Sequence, residues 1–221
     1  MKIIDAHSHI EYISYKYQSD IVGTICCATN EDDWSVLLNM NDKNVFPAFG
    51  IHPWFIENIK DGFDVRLSEM LEQNKSAMVG EIGLDKYKPD MDKQIDVFIK
   101  QIEIAIKYKR PVFIHCVGAW DKMFQILKRY KKSELPIMVA HAFNGSIEIV
   151  KNLLAGYDIM FSFNRPDDII TNIPDNRILV ETDAKSNVVL SDIVDKIADI
   201  KNNENMSDII YQNTMRVLNN D

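Results

Sequence analysis

The chain has 221 residues, 46% of them apolar, so it can bury a sizeable core and falls within the range of a single α/β barrel. Its formal charge of −8 excludes a broad basic footprint that would grip nucleic-acid phosphates by charge alone, and a phosphate ligand would need local help such as a bound cation. Three cysteines without framework spacing, Cys26, Cys27 and Cys116, exclude a disulfide scaffold. Acidic and histidine residues interrupt the N-terminus by position 5, and no apolar run reaches membrane-spanning length; the expectation is a soluble cytoplasmic protein with no membrane partner.

In chain order, short β-branched apolar runs occupy residues 3–5, 21–28, 45–51, 77–82, 111–116, 137–142, 157–163 and 177–182. Between them, helical periodicity marks residues 32–40, 65–73, 92–109, 120–130, 146–154, 190–200 and 207–218. The clearest stripe is Ile95, Phe98, Ile102, Ala105 and Ile106, which reads as core packing. Segments 11–20 and 164–176 are short or irregular, so two outer helices are expected to be reduced. Eight strands with helical crossovers predict the α/β class and a compact, single (β/α)8 TIM barrel over residues 1–221, because open doubly wound sheets more often stop at five or six strands.

The polar residues fall on one end of those strands. Alternation along the first strand places Asp5, His7 and His9 on one face, setting two imidazoles side by side at its C-terminal end. Taken alone, a His-x-His pair reads by default as hydrogen-bonded surface residues and not as a metal site. All five histidines, however, His7, His9, His52, His115 and His141, lie at or just past the C-terminal end of an expected strand, where the loops of a barrel build its active site. Glu81 ends the fourth strand and Asp183 ends the eighth.

Imidazoles and carboxylates without a cysteine suit Zn, Mn or Fe, with Mg a less natural choice for so many nitrogens. Six candidate ligands exceed one tetrahedral site, so two divalent ions are expected: His7, His9 and Asp183 on one, His115 and His141 on the other, and Glu81 between them. Asp5 and Glu181 lie two residues below ligands, placed to brace an imidazole or Asp183. Such a pair lowers the pKa of bound water toward neutrality, and Asp183 would orient that water and relay its proton, with Glu81 as the other catalytic carboxylate.

The motifs Asp5-Ala6-His7-Ser8-His9, Gly50-Ile51-His52-Pro53, Gly80-Glu81-Ile82-Gly83-Leu84-Asp85, Pro111-Val112-Phe113-Ile114-His115-Cys116, His141-Ala142-Phe143-Asn144-Gly145 and Glu181-Thr182-Asp183-Ala184 run in order along nearly the whole chain. Together they resemble the TatD-type deoxyribonucleases of the amidohydrolase superfamily. The resemblance implies a (β/α)8 barrel, metal-dependent phosphodiester hydrolysis with DNA as substrate, and ligation by His7, His9, Glu81, His115, His141 and Asp183. Two departures stand out. Val117 occupies the place where the family commonly has arginine, and the segment after Asp183 is cut to Lys185-Ser186-Asn187-Val188. Losing an arginine removes a bidentate phosphate donor, for which lysine substitutes only as a point charge.

His52, before Pro53, reads equally as a loop histidine bonded to backbone and as a substrate contact. Arg165 and Lys185 follow strands seven and eight, where barrels often bind phosphate, with solvated surface charge as the alternative. Trp54 and Trp120 either stack on a base or close the barrel mouth, the latter being the commoner use; Tyr12, Tyr15, Lys16 and Tyr17 either touch substrate or pack their loop; Asp85 is expected to brace its loop. The function expected is a metal-dependent phosphodiesterase. A hydrolase of small esters, lactones or amides is the alternative, and a catalytically silent metal-binding scaffold is a third reading that the complete ligand set disfavours.

Overall fold

The computed structural model describes residues 1–12, 18–185 and 187–220; Tyr15, Lys16, Tyr17 and Ser186 lie outside them. Its eight strands are β1 (Ile3–Ser8), β2 (Ile21–Cys27), β3 (Val45–Phe49), β4 (Met78–Asp85), β5 (Val112–Val117), β6 (Met138–Ala140), β7 (Ile159–Phe163) and β8 (Ile178–Val180). They pair in sequence order, every ladder parallel, which is the (β/α)8 arrangement that the alternation of runs predicts. The seam between β8 and β1 is joined largely through one side chain. Fully buried Asp5 accepts the Thr182 N–H at 2.9 Å and the Thr182 hydroxyl at 2.7 Å, while the Asp183 N–H donates to the His7 carbonyl at 3.0 Å.

Among the described residues seven helices cover the barrel: α1 (Glu31–Asn39), α2 (Phe63–Gln73), α3 (Met91–Tyr108), α4 (Trp120–Leu127), α5 (Ile147–Gly156), α6 (Leu190–Lys201) and α7 (Met206–Asn219). As expected, the described residues after β1 and β7 carry only short 3-10 turns, Ile10–Tyr12, Asp168–Asn172 and Asp175–Arg177. Local chemistry sets these boundaries: the Asn30 side chain caps α1 by accepting the Asp32 and Asp33 N–H groups, ahead of the acidic first turn Glu31, Asp32, Asp33. No helix among the described residues is long and apolar enough to cross a membrane.

Alternation along the strands divides the core in two. One cluster fills the barrel interior, with Ala6, Ile25, Ala48, Met78, Phe113, Val139, Met160 and Leu179 drawn from the eight strands and joined by Val217 and partly buried Leu218 of α7. Their neighbours in sequence, such as Cys26, Phe49, Val112, Met138, Phe161 and Val180, pack outward with the helix stripes. This interior layer sets the height of everything polar above it. Two residues beyond Phe113, Val139 and Leu179 come His115, His141 and Glu181, lifted to the mouth on the same faces.

Candidate metal centre

Glu81 reaches the mouth only because β4 breaks the alternation. Met78 faces inward, and Val79, Ile82 and Leu84 all face outward, so the phase slips by one residue between Val79 and Ile82. The pairing with β5 records the slip: Val79 stands opposite Val112, and Ile82 opposite Ile114. This bulge turns Glu81 inward, where straight pleating would have turned it out. Gly83 lets β5 come close beside it. Its φ is +154°, and a Cβ there would lie 1.8 Å from the carbonyl oxygen of His115. A similar irregularity between Asp5 and Ser8 separates residues that plain alternation puts together: Asp5 turns to the β8 seam, and His7 and His9 turn to the mouth. The expectation that these three share one face is corrected by that bulge.

Glu81, 1% exposed, is the hub. Its Oε2 faces His7 Nε2 at 3.1 Å and His9 Nε2 at 3.4 Å. Its Oε1 faces His52 Nε2 at 3.0 Å, His115 Nδ1 at 2.9 Å and His141 Nε2 at 2.9 Å. Asp183 Oδ1 lies 3.7 Å from His9 Nε2, and Lys185 pairs with the other carboxylate oxygen of Asp183. Three sets of donor atoms sit close enough to share an ion: His7, His9 and Glu81; His52, Glu81 and His115; and His7, His141 and Asp183. The six expected ligands are thus brought together, with His52 among them.

Bonds on the far side of the imidazoles decide which nitrogen each offers. His9 Nδ1–H donates to the carbonyl of Cys27 at 2.9 Å, leaving Nε2 toward the two carboxylates. His141 Nδ1–H donates to Glu181 at 3.2 Å, and the same Oε1 accepts the Ala142 N–H at 2.8 Å. His115 Nε2 meets Asp85 at 3.3 Å. His52 differs: its Nδ1 accepts the Trp54 N–H at 3.1 Å, so in a neutral ring Nε2 carries the hydrogen and donates to Glu81. The expected bond of His52 to loop backbone is present, and the ring also lines the cavity.

The electrostatics follow from this packing. Burial opposes ionisation of Glu81, but His141, His52 and His7 facing it, with the bond from His115, hold its carboxyl well below the usual range. Burial likewise opposes charging His141, yet Glu81 and Glu181 outweigh it and raise that imidazole well above its ordinary value. His7 is pushed down by burial and by His141, against which it stacks at 4.0 Å. Asp183 is depressed despite its burial, through its bond to His9 and the nearby His7 and His141. The backbone is strained here: Ala142, Asp183 and Ala184 have φ of +43°, +52° and +56°, in the left-handed region that non-glycine residues enter at a cost of about 1–3 kcal/mol each.

A cavity of about 720 Å³ opens above the cluster, lined among others by His9, His52, Trp54, Glu81, Val117 and Lys185. Arg165 is exposed and is not among its lining residues. Trp120 is 9% exposed, packs on Phe124 and Phe143 and is not among the cavity's lining residues. Asp85 braces its loop, accepting the Tyr87 N–H at 2.9 Å and the Trp54 indole N–H at 2.6 Å. Sequence reasoning missed Gln94 and Gln101 of α3. Gln101 bonds both the N–H and the carbonyl of Ile51, and Gln94 does the same for Asp85, pinning the ends of β3 and β4. Two glutamines seven residues apart on the buried side of an otherwise apolar stripe were the available signal.

The family model described as TatD related DNase matches residues 4–219. The chain belongs to this family. TatD relatives include a human 3'-5' RNA nuclease, TATDN2, 30% identical over 164 residues, which are 68% of this chain but 21% of that protein. The 3'-5' ssDNA/RNA exonuclease TatD of Pectobacterium atrosepticum is 31% identical over 146 residues, 61% of this chain and 56% of that one. YjjV of Escherichia coli, named an uncharacterized metal-dependent hydrolase, is 28% identical over 208 residues, 83% of this chain and 79% of its own. Its crystal structure superposes with a TM-score of 0.86 over 98% of both chains at 21% identity, which establishes the shared barrel. The chain is accordingly a metal-dependent hydrolase of the TatD family.

Proposed function

We propose that this TatD-family chain hydrolyses phosphodiester bonds in DNA with two divalent ions, Zn, Mn or Mg, that His7, His9, Glu81, His115, His141 and Asp183 would hold. The observation that carries this reading is the division of the Glu81 carboxylate: one oxygen faces His7 and His9, and the other faces His115 and His141. A carboxylate with imidazoles on both oxygens is the donor set that two cations share. The charge balance agrees, because Glu81, Asp183, Glu181 and Asp85 converge on the cluster from four directions. When bound, such ions make water acidic enough to ionise near neutral pH and offset the charge developing on a phosphate.

The chain's own groups supply the rest. Asp183, at the cavity wall and already ionised, accepts the proton of the attacking water, and its left-handed backbone aims it there. Lys185 beside it offers a cation to the phosphate, a point charge in place of the absent bidentate arginine. His52 donates to Glu81 and holds its orientation. Asp5 fixes Thr182, the residue before Asp183, and Glu181 fixes His141. Arg165, away from the cavity lining, has no part in this reading. We place the protein in the cytoplasm, working as one domain over 1–221, consistent with three free, buried cysteines.

The test is hydrolysis of bis(p-nitrophenyl) phosphate and of a 3'-labelled single-stranded oligonucleotide by metal-stripped protein resupplied with Mg, Mn or Zn. Both should be cut, and Asp183→Asn should slow both by about 10²–10⁴-fold, the usual contribution of a general base. Bound metal with neither substrate cut overturns the reading and moves attention to lactones and amides.

A further inference from the structure

Trp54 stands on the cavity rim in the 3-10 turn Pro53–Asn58 with 53% of its surface exposed, whereas Trp34 and Trp120 are 4% and 9% exposed. An exposed indole ordinarily samples several rotamers, but this one is fixed. Its N–H donates to Asp85 at 2.6 Å, its ring meets His52 edge-on at 5.3 Å, and Lys88 Nζ lies 4.0 Å from its centroid. Asp85 is itself buried and bonded through both its N–H and its carbonyl to Gln94. A large ring held still in water gains little for the fold. It is preorganised to receive another flat group, because the ordering cost of binding has been met in advance.

The surroundings identify that group. Tyr87, 79% exposed, follows on the same loop, and Lys86 lies against Gly118, where an added Cβ would meet Lys86 Cβ at 3.3 Å and Tyr87 Cε2 at 3.7 Å. Gly118 directly follows Val117, the position that carries no arginine in this chain. The loop after β4 therefore brings two lysines and a second aromatic ring to the side of the mouth that β5 leaves without a cation. Aromatic faces with interleaved positive charge are the means by which proteins hold unpaired bases and the backbone joining them.

We propose that Trp54, flanked by Tyr87, Lys86 and Lys88, is a stacking platform for an unpaired nucleobase, with the neighbouring phosphates directed to the lysines. This rests on the phosphodiesterase reading, but its test does not require turnover.

The measurement is tryptophan fluorescence of the protein in EDTA at low salt, titrated with oligothymidylate and with an abasic deoxyribose-phosphate oligomer of equal length. Thymidylate should quench the exposed, Trp54-derived emission, and the abasic chain should not. Trp54→Ala should weaken thymidylate binding, followed by anisotropy of a labelled oligomer, by about 5- to 150-fold, the measured range for one base–aromatic stack. Trp54→Phe, which keeps a stacking face and loses the bond to Asp85, should restore most of the affinity. Lys86→Gln with Lys88→Gln should weaken both oligomers equally. The proposal is overturned if thymidylate leaves the emission unchanged, or if Trp54→Ala lowers affinity for the two oligomers alike. Stacking as expected in a protein that cuts no phosphodiester with any metal would sink the phosphodiesterase reading and leave the platform standing. Cutting that is indifferent to Trp54 does the reverse.

Discussion

The carbonyl of Cys27 accepts Nδ1–H of His9 at 2.9 Å, so a backbone atom of β2 chooses which nitrogen of a β1 histidine faces Glu81 and Asp183. No side-chain substitution can remove that carbonyl. The donor set is therefore weakened most directly at the imidazoles. His7→Ala combined with His9→Ala should leave a folded barrel by circular dichroism while removing most of the bound metal, read by elemental analysis after dialysis. Unchanged metal stoichiometry in the double variant would move the metal site elsewhere.

Glu181 acts one step back from the cluster. Fully buried, it holds His141 Nδ1–H and the Ala142 N–H on one oxygen. Partners of this kind orient an imidazole and raise its basicity, and losing one typically costs about 10- to 100-fold in metal affinity. Glu181→Gln should weaken metal binding by that order, measured by competition with a chelator, while the far-UV spectrum stays unchanged. An unaltered affinity would mean that His141 is not a ligand.

Much of this is legible in the sequence, because a period of two along eight strands places all five histidines at or just past strand ends, and parallel strands bring those ends to one mouth. What escaped is what breaks the period. The bulge that turns Glu81 inward costs one residue of register, and its only mark in the sequence is Gly80 inside the run, which suggests a bulge without fixing which way Glu81 turns. In β1 the same kind of break sends Asp5 to the seam, so its use is to join β8 through Thr182. Arg165 sits shortly after a strand end, as expected, yet it points to solvent, since position along the chain does not fix the direction of a loop side chain.

Away from the mouth, Asp158 offers a pH test of the scaffold. Burial opposes its ionisation, but Arg177 and Arg216, the latter at 2.7 Å, outweigh it and depress its pKa. A carboxylate depressed in the folded state contributes stability that is present above its unfolded value, near about 3.9, and is lost as pH falls through the folded value. Asp158→Asn should therefore be less stable than the parent at pH 7, and the gap between their urea midpoints should narrow below about pH 4. A gap that stays constant down to pH 2 would show that the two arginines do not favour the ionised form.

Helix α3 holds the rim through Gln101. Gln101 accepts the Ile51 N–H at 2.7 Å and donates to the Ile51 carbonyl at 3.1 Å, both inside the core and one residue before His52. Gln101→Ala leaves those two backbone groups buried and unpaired, at about 1–3 kcal/mol each, so unfolding free energy should fall by about 2–6 kcal/mol with the urea slope unchanged. The effect should reach the mouth as well. Ile51 anchors the turn bearing His52 and Trp54, so affinity for oligothymidylate should drop further than affinity for the abasic oligomer. Loss of stability with both affinities intact would show that the turn is positioned by Asp85 and Trp54 alone, and that Gln101 serves only the core.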